Sequence, residues 1–252
     1  MNKIGRWCLE HNLPAWVAFF AGWQLLSCWL PVPSARGVLT LVWRDVRSPG
    51  FLVTLGLSLI RMSIGYLGAA LLGIFLGLLI WRIRWLDSLL GTLGAALNAM
   101  PGAAWVPLSV FLFGLNEKAV VFTIVLGATG VVMLNTGSGL KGVAPLILRA
   151  AQTLGARRSR MLRYVILPAA VPRIIDGLRL AWAFGWRALM AGELLITSVR
   201  GMGQLINEVA RRRDIEHLLA FMVIIALIGV FVDGILFNRC LGNRVRARWG
   251  TA

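Results

Sequence analysis

The chain has 252 residues, 58% of them hydrophobic and 14% charged, and its mean hydropathy is +0.78. Soluble domains carry about 25% charged residues, so the composition excludes an ordinary soluble globular protein and indicates a one-domain protein with several membrane spans. The net charge of +16 is interpreted as an orientation signal, because Lys and Arg collect in cytoplasmic loops, and no nucleic-acid partner is expected.

Six apolar segments are long enough to cross a bilayer as helices, which takes about 20 residues each. A short surface helix is predicted from Arg36 to Val46, between the first two segments. The third segment is interrupted by Pro101 and Pro107. The six segments are Leu13–Leu30, Thr54–Trp81, Leu86–Leu115, Ala119–Asn135, Ile174–Thr197 and Leu218–Phe237. The sequence therefore predicts an all-α membrane protein with about six transmembrane helices.

The Lys and Arg residues outside the spans favour one orientation in the membrane. If both termini are cytoplasmic, most of these residues fall on the inner side, as the positive-inside rule requires. The triplet Arg211–Arg213 works against this orientation, although acidic residues surround it. We therefore expect the basic segment between the fourth and fifth spans to be a long cytoplasmic loop.

Charged side chains also lie within the predicted spans, where an unpaired charge facing lipid costs several kcal/mol. Arg187 and Glu193 are expected to face the bundle interior and either bracket a polar cavity or form ion pairs. Arg61 is expected near the outer end of the second span. Each is interpreted as part of an anion pathway or, alternatively, as a member of a buried ion pair that fixes helix register. Arg179 and Asp176 are expected to pair with each other, one turn apart.

The third span is expected to break at Asn98, Met100 and Pro101. Membranes tolerate exposed backbone groups only against protein or a water-filled cavity, so the break is a second candidate for lining a pathway. The stretch "GMGQLI", which begins at Gly201, is expected to form an interfacial or re-entrant helix at the outer surface.

The basic loop contains a predicted helix from Leu154 to Ile166. Leu154, Met161 and Val165 lie on one face at 100° per residue, and arginines flank this apolar ridge. Pro168 and the proline that follows it are expected to end the helix and redirect the chain into the fifth span. Three interpretations remain: a helix lying on anionic headgroups, a ridge docking into a groove on a cytoplasmic partner, and a phosphate site.

The stretch "AAQTLGARRSRMLRYVILP" resembles the cytoplasmic loop of ATP-binding-cassette (ABC) importer permeases, whose pattern is E-A-A, three residues, G, nine residues, I-x-L-P. The first position departs from the pattern, because Arg149 stands in place of the acidic residue. The positions that match are Ala150, Ala151, Gly155, Val165, Leu167 and Pro168.

Further blocks resemble the nitrate, sulfonate, taurine and bicarbonate branch of these permeases, in the same order along the chain. They are "TLGLSLIRMSIGYLGAALLGIFLGLL", "MPGAAWVPLSVFLFGLNEK", "GLRLAWAFGWRALMAGELL" and "GMGQLI". The resemblance implies a type I ABC importer permease fold. Residues 1–50 would hold the first transmembrane helix and an outer loop, 51–238 the permease core with a coupling loop at 140–172, and 239–252 a basic cytoplasmic tail.

The resemblance also implies the partners. The loop helix would be a coupling helix that docks into separate ATPase subunits, and a periplasmic or lipid-anchored binding protein would deliver the substrate to a permease homodimer in the inner membrane. The residues expected at the docking surface are Ala150, Ala151, Leu154, Gly155, Ala156, Arg157, Met161, Leu162 and Pro168. "GMGQLI" would be a contact for the binding protein.

The implied cargo is a small anion, namely an organosulfonate such as taurine, nitrate or bicarbonate; a pyrimidine vitamin precursor is the alternative within the class. The chain has no Walker A pattern, so it needs no cofactor of its own and ATP would be used by the partner. A stand-alone channel or secondary carrier is the rival interpretation. An enzyme acting on lipid phosphates is disfavoured because acids and histidines do not cluster, and Cys8, Cys28 and Cys240 lack metal-ligand spacing.

Overall fold

The computed structural model describes residues 17–18, 20–25, 27, 29, 33–234 and 237, and every regular element in this part of the chain is helical. A 3-10 turn (Gly102–Trp105) and a π-helical turn (Leu162–Ile166) lie among the α-helices. The α-helices are α1 (Ala35–Val46), α2 (Pro49–Arg82), α3 (Arg84–Ala99), α4 (Val106–Phe113), α5 (Glu117–Lys141), α6 (Pro145–Thr153), α7 (Arg158–Met161), α8 (Leu167–Leu195), α9 (Met202–Arg211) and α10 (Ile215–Val232).

Three of these helices, α2, α5 and α10, are long and apolar enough to cross a membrane, and α3 with the segment Gly102–Phe113 makes a fourth candidate, bent by 106°. Helix α8 has 29 residues, about 43 Å at 1.5 Å per residue, but it carries several charges. The predicted all-α membrane fold is confirmed. Of the predicted first span, residues 17–18, 20–25, 27 and 29 are described and are helical, and its other residues lie outside the described part of the chain. The surface helix expected from Arg36 is confirmed as α1.

The chain divides into two compact units. One contains the residues up to Val53 together with Leu205–Ala226, and the other contains Thr54–Gln204 together with the residues from Leu227 onward. In the first unit, the rings of Phe51 and Phe221 stack with their centroids 5.9 Å apart. The second unit holds the helices that build the candidate sites.

Small residues let α2 and α5 pack at short range. Gly65, Ala69, Gly73 and Gly77 recur every four residues on the buried face of α2. A Cβ atom at Gly73 would lie 2.5 Å from the Cβ of Val132, and one at Gly77 would lie 2.5 Å from the Cβ of Thr136. Such stripes of small residues bring helices together in lipid, where apolar burial gives no driving force. The contacts advance in the same direction on both helices, so α2 and α5 run parallel.

Helix α8 runs antiparallel to α5 along most of its length. Gly192 faces Val120 near the beginning of α5, and Gly177 faces Asn135 near its end. A Cβ atom at Gly177 would lie 2.6 Å from the Cβ of Asn135, which shows how closely the two backbones approach. Because α8 follows α5 over this distance, it crosses the same depth of the bundle despite its charges.

Ion pairs mark the two ends of this bundle. Arg61 on α2 contacts Glu117 at the beginning of α5, and Asp87 near the beginning of α3 pairs with Lys141 at the end of α5. Since α2 and α5 are parallel, the bent segment from α3 to α4 must return from the Lys141 end to the Glu117 end. It therefore makes one crossing of the bundle, interrupted at its centre.

The predicted loop helix from Leu154 to Ile166 is wrong at its beginning. Helix α6 ends at Thr153, Gly155 adopts φ +79°, and a new helical run begins at Arg158. That run continues through the π-helical turn into α8, so Pro168 and Pro172 do not end it. Pro168 lies in the first turn of α8, directly after the π-helical turn, where the wider spacing accommodates a ring that would clash with the carbonyl four residues earlier.

Candidate functional sites

The third crossing breaks where the sequence predicted. Helix α3 ends at Ala99, Met100 is extended with ψ 127°, and Pro101 begins the 3-10 turn with φ −63° and ψ 144°. Both residues are exposed. Pro107, predicted as a second interruption, instead lies in the first turn of α4, where a missing N–H leaves no hydrogen bond unmade.

The break lies against the middle of the bundle. A Cβ atom at Gly102 would lie 2.9 Å from the Cα of Ala188 on α8, and one at Gly130, halfway along α5, would lie 2.7 Å from the Oδ1 of Asn98. That Oδ1 atom is buried and has no hydrogen-bond partner within the described part of the chain. The interrupted backbone thus sits at mid-depth, where exposed peptide groups require protein or water beside them.

Arg187 adjoins Ala188 and therefore lies beside the break. Its side chain is exposed rather than turned into the bundle of this chain, so that expectation is wrong. The physical reason is close packing: α8 uses Gly185, Ala188 and other small residues against α5, which leaves no room for a guanidinium group. Its guanidinium carbon lies 5.5 Å from the ring centroid of Phe184, and it forms no ion pair with any described residue.

We call Asn98, Met100, Pro101 and Arg187 the mid-bundle site. Its members come from two separate stretches of sequence, and α3, α5 and α8 bring them to one depth. It combines a cation that has no ion-pair partner among the described residues with a helix break whose Met100 and Pro101 are exposed. These are the features expected where a polar solute crosses an apolar bundle.

Arg61 and Glu193 do not belong to this site, because they pair with each other at the Glu117 end. The Nη1 of Arg61 lies 2.7 Å from the Oε1 of Glu193, and its Nη2 lies 3.1 Å from the Oε1 of Glu117. Arg61 is 3% exposed and Glu193 is 0% exposed. The expectation that Arg187 and Glu193 bracket one cavity is therefore wrong, and the alternative of a buried ion pair holds for Arg61 and Glu193.

The segment from Gly201 to Gly203 closes over Glu193. The backbone N–H of Gly203 donates to the Glu193 Oε2 at 3.1 Å, and Ser58 donates its hydroxyl to the same carboxylate at 2.8 Å. A Cβ atom at Gly201 would lie 2.2 Å from the Cδ of Glu193, so no side chain fits there. This role of "GMG" was missed at the sequence level. A Gly-x-Gly stretch shortly after an intramembrane glutamate was the available signal.

A second ion pair lies nearer the Lys141 end. Arg179 donates from its Nε and Nη2 to the two carboxylate oxygens of Asp233, at 2.5 and 2.6 Å. The expected pairing of Arg179 with Asp176 is therefore wrong: Asp233, 54 residues away, offers both oxygens to the guanidinium fork. The pair holds Asp233, the residue directly after α10, against α8.

The basic loop exposes a different apolar surface from the one predicted. Met161 is buried, so it cannot share a ridge with Leu154, which is 88% exposed. Leu146 and Ile147 of α6 are exposed instead, whereas Ala151 of the same helix is buried. We call Leu146, Ile147 and Leu154 the loop ridge.

The turn at Gly155 shapes the end of the loop ridge. The N–H of Ala156 donates to the carbonyl of Ala151 at 2.9 Å, and the N–H of Gly155 donates to that of Gln152 at 2.9 Å. This is a Schellman cap, whose left-handed position favours glycine. The left-handed conformation explains why glycine stands at position 155. Of the other residues expected at the docking surface, Ala150 and Arg157 are exposed and Ala156, Leu162 and Pro168 are half-buried.

Known proteins resemble this chain in sequence. Residues 69–246 match the family described as binding-protein-dependent transport system inner membrane component. The chain is 35% identical over 233 residues to a putative ABC transporter permease of Methanocaldococcus jannaschii, covering 89% of this chain and 86% of that protein. It is 32% identical to the taurine transport system permease of Escherichia coli, covering 71% of this chain and 65% of that protein.

The fold also resembles a solved structure, an amino acid ABC transporter with histidines. The TM-score is 0.62 at 20% sequence identity, with 83% of this chain and 97% of that chain covered. At this identity the likeness concerns the fold alone.

Proposed function

The chain belongs to the family of binding-protein-dependent transport system inner membrane components, and from this premise we propose that it forms the membrane path of an ATP-driven importer for a small anion. It is a multi-pass membrane permease subunit. In the proposed assembly, separate ATPase subunits hydrolyse ATP at the Lys141 end, and a periplasmic or lipid-anchored binding protein delivers the anion at the Glu117 end.

One observation supports an anion as the cargo. Arg187 is exposed at the depth of the helix break and has no acidic partner among the described residues. A cation facing lipid there would cost at least about 2.5 to 3.5 kcal/mol, so this face of α8 must be covered by protein or wetted. A water-filled path past Met100 and Pro101 meets that requirement. Within the described part of the chain, Arg187 is the only unpaired charge at this depth, and an anion in the path would meet it. Relatives named for bicarbonate, taurine, nitrate and sulfonates support this choice.

A homodimer completes the path. One stripe of α8 consists of exposed Leu180, Arg187 and Leu194 with half-buried Phe184, apolar residues interrupted by one charge. A second copy facing this stripe across a two-fold axis would shield the apolar residues from water and place two Arg187 side chains around one anion. Neither Arg187 would then face lipid.

The loop ridge takes the role of the coupling surface. Leu146, Ile147 and Leu154 form an exposed apolar strip, and exposed Arg149, Arg157 and Arg160 surround it. No acidic residue occurs anywhere between Lys118 and Ile175. A partner with an apolar cleft and an acidic rim complements this surface, and the ATPase subunit is that partner in our proposal. By the positive-inside rule, this basic end is cytoplasmic and so are both termini.

Uptake by the assembled transporter in proteoliposomes tests the anion path. The variant Arg187→Gln should take up taurine, nitrate or bicarbonate, whichever the wild type transports, at least tenfold more slowly than the wild type. Arg187→Lys should retain part of the uptake because the charge remains. Arg211→Gln, an exposed arginine in the other unit, is the matched control and should transport normally. ATPase activity is measured in parallel to show that the complex is intact.

The rival interpretations give different results. A neutral cargo such as a pyrimidine vitamin precursor predicts unchanged uptake in Arg187→Gln. A stand-alone channel or secondary carrier predicts uptake without ATP and without an ATPase subunit. Either result contradicts the proposal.

A further inference from the structure

We propose that a groove between the helical residues 20–25 and α1 binds an anionic phospholipid. The groove has a volume of about 750 Å³ and lies wholly within the first unit. Its walls are mainly apolar, with Phe20 and Ala21 on one side and Leu39 and Trp43 on the other. Arg36 lies at its edge. A volume of this size is in the range of ligand sites, and its lining suits an acyl chain.

The outer face of α1 supplies cationic groups for a headgroup. Arg36, Arg44 and Arg47 are exposed, and none forms an ion pair with a residue that the structure describes. Asp45, the acidic residue of this helix, is half-buried and points away from this face. The guanidinium of Arg47 lies 3.8 Å from the ring centroid of Trp43, so cation and aromatic ring are held at one level.

The position of α1 in the chain fixes the environment of the groove. Only Arg47 and Ser48 separate α1 from α2, a membrane helix whose first turns already expose Leu52 and Val53. The exposed apolar start of α2 contacts hydrocarbon, so α1 just before it lies at the level of the headgroups. Trp43, which is 63% exposed, suits that interface. An amphipathic helix with arginines and tryptophan on its free face is typical of a lipid contact in this layer.

Charge favours a lipid over a second copy of the chain as the occupant. A two-fold contact through this face would set Arg36, Arg44 and Arg47 against the same three arginines of the other copy. A phospholipid instead supplies what the surface lacks: an acyl chain for the apolar walls and a phosphate for Arg36. A headgroup with a net negative charge is attracted to the three arginines more strongly than a zwitterionic headgroup.

The test measures phosphatidylglycerol bound to the full-length permease complex, by native mass spectrometry titration from phosphatidylcholine nanodiscs. Arg36→Gln should weaken binding about fivefold, the effect of one arginine near an anionic surface, and Arg36→Lys should stay within about twofold of wild type. Ala21→Trp fills the groove without changing charge and should abolish the saturable binding. Arg211→Gln removes an equal charge from the same unit, away from the groove, and should change nothing.

Two results would overturn the proposal. In the first, Arg36→Gln and Ala21→Trp bind phosphatidylglycerol as wild type does, or Arg211→Gln weakens binding as much as Arg36→Gln, which would indicate general charge attraction. In the second, Leu39→Cys in a background without the native cysteines forms disulfide-linked dimers in the membrane, which would show that another copy of the chain covers the groove.

Discussion

Glu193 is the residue whose removal should most destabilise the protein. The substitution Glu193→Ala deletes a carboxylate that accepts hydrogen bonds from Arg61, Ser58 and Gly203. Arg61 would remain buried, with its Nε already lacking a partner and its Nη1 newly unpaired. Removing one member of a buried ion pair costs about 3 to 5 kcal/mol, because the other charge is left without compensation.

The loss at the neutral donors adds to this cost. An unsatisfied buried N–H or hydroxyl costs about 1 to 3 kcal/mol, and the N–H of Gly203 loses its only acceptor among the described residues. The hydroxyl of Ser58 suffers less, since it still accepts from the N–H of Met202 at 2.9 Å. We therefore expect a total of about 4 to 8 kcal/mol, taking the charge and one donor together.

Thermal unfolding of the purified transporter in nanodiscs, followed by tryptophan fluorescence, measures the effect. At about 2 to 4 °C per kcal/mol for a chain of this length, Glu193→Ala should lower Tm by more than about 8 °C. The control is Glu208→Ala, which breaks an exposed pair with Arg212 and should cost less than about 1 kcal/mol.

The double variant Arg61→Met with Glu193→Met gives the decisive comparison. It removes both charges and fills the space with apolar groups, so it should be more stable than Glu193→Ala alone. Equal Tm values for wild type and Glu193→Ala, or a double variant that loses the sum of both single effects, would refute the view that an uncompensated buried charge governs stability here.

Three further predictions follow from other contacts. Gly203→Ala should destabilise the protein, since its Cβ would lie 2.7 Å from both the Cβ of Glu193 and the carbonyl of Met190; Gly91→Ala, with nothing within 4 Å, should be neutral in the same Tm assay. Leu154→Asp should lower uptake and the co-purified ATPase at least tenfold with unchanged Tm, because the side chain is exposed and a charge there opposes docking into an apolar cleft; normal uptake would reject the loop ridge as the docking surface. Gly155→Glu should uncouple ATP hydrolysis from uptake and lower Tm slightly, since φ is +79° and a side chain there projects into open space; unchanged uptake would show that the turn is not in the interface.

The spans and the break could be predicted because their signals are local. Apolar length identified α2, α5 and α10, and a proline after a helical run placed the break at Pro101. The direction of individual charges could not be predicted, because it depends on which face the neighbouring helices cover. Arg187 illustrates this: its place within a span could be predicted, but α5 occupies the opposite face of α8 through small residues that carry no directional signal of their own.

Ion-pair partners were missed for a related reason. The distance between two charges in sequence favours local pairs, such as Arg179 with Asp176, whereas the bundle brings Asp233 within reach with both carboxylate oxygens. The prediction of one continuous loop helix was wrong because two sequence signals compete there. The helical period continued through the loop, but the left-handed conformation at Gly155 ended α6 and began a new run.

Helix α8 carries one charge that stabilises the bundle and one that faces the proposed anion path. Glu193, at the Glu117 end, is enclosed by α2, α5 and the Gly201–Gly203 segment. Its carboxylate pairs with Arg61 and accepts from the N–H of Gly203, which holds these elements together. Arg187, less than two turns away, is exposed and forms no ion pair with a described residue. Because Glu193 is neutralised by Arg61, it does not oppose the field of Arg187 at the break. A helix with both charges free would attract cations and anions alike, whereas this arrangement leaves a net positive site at mid-depth.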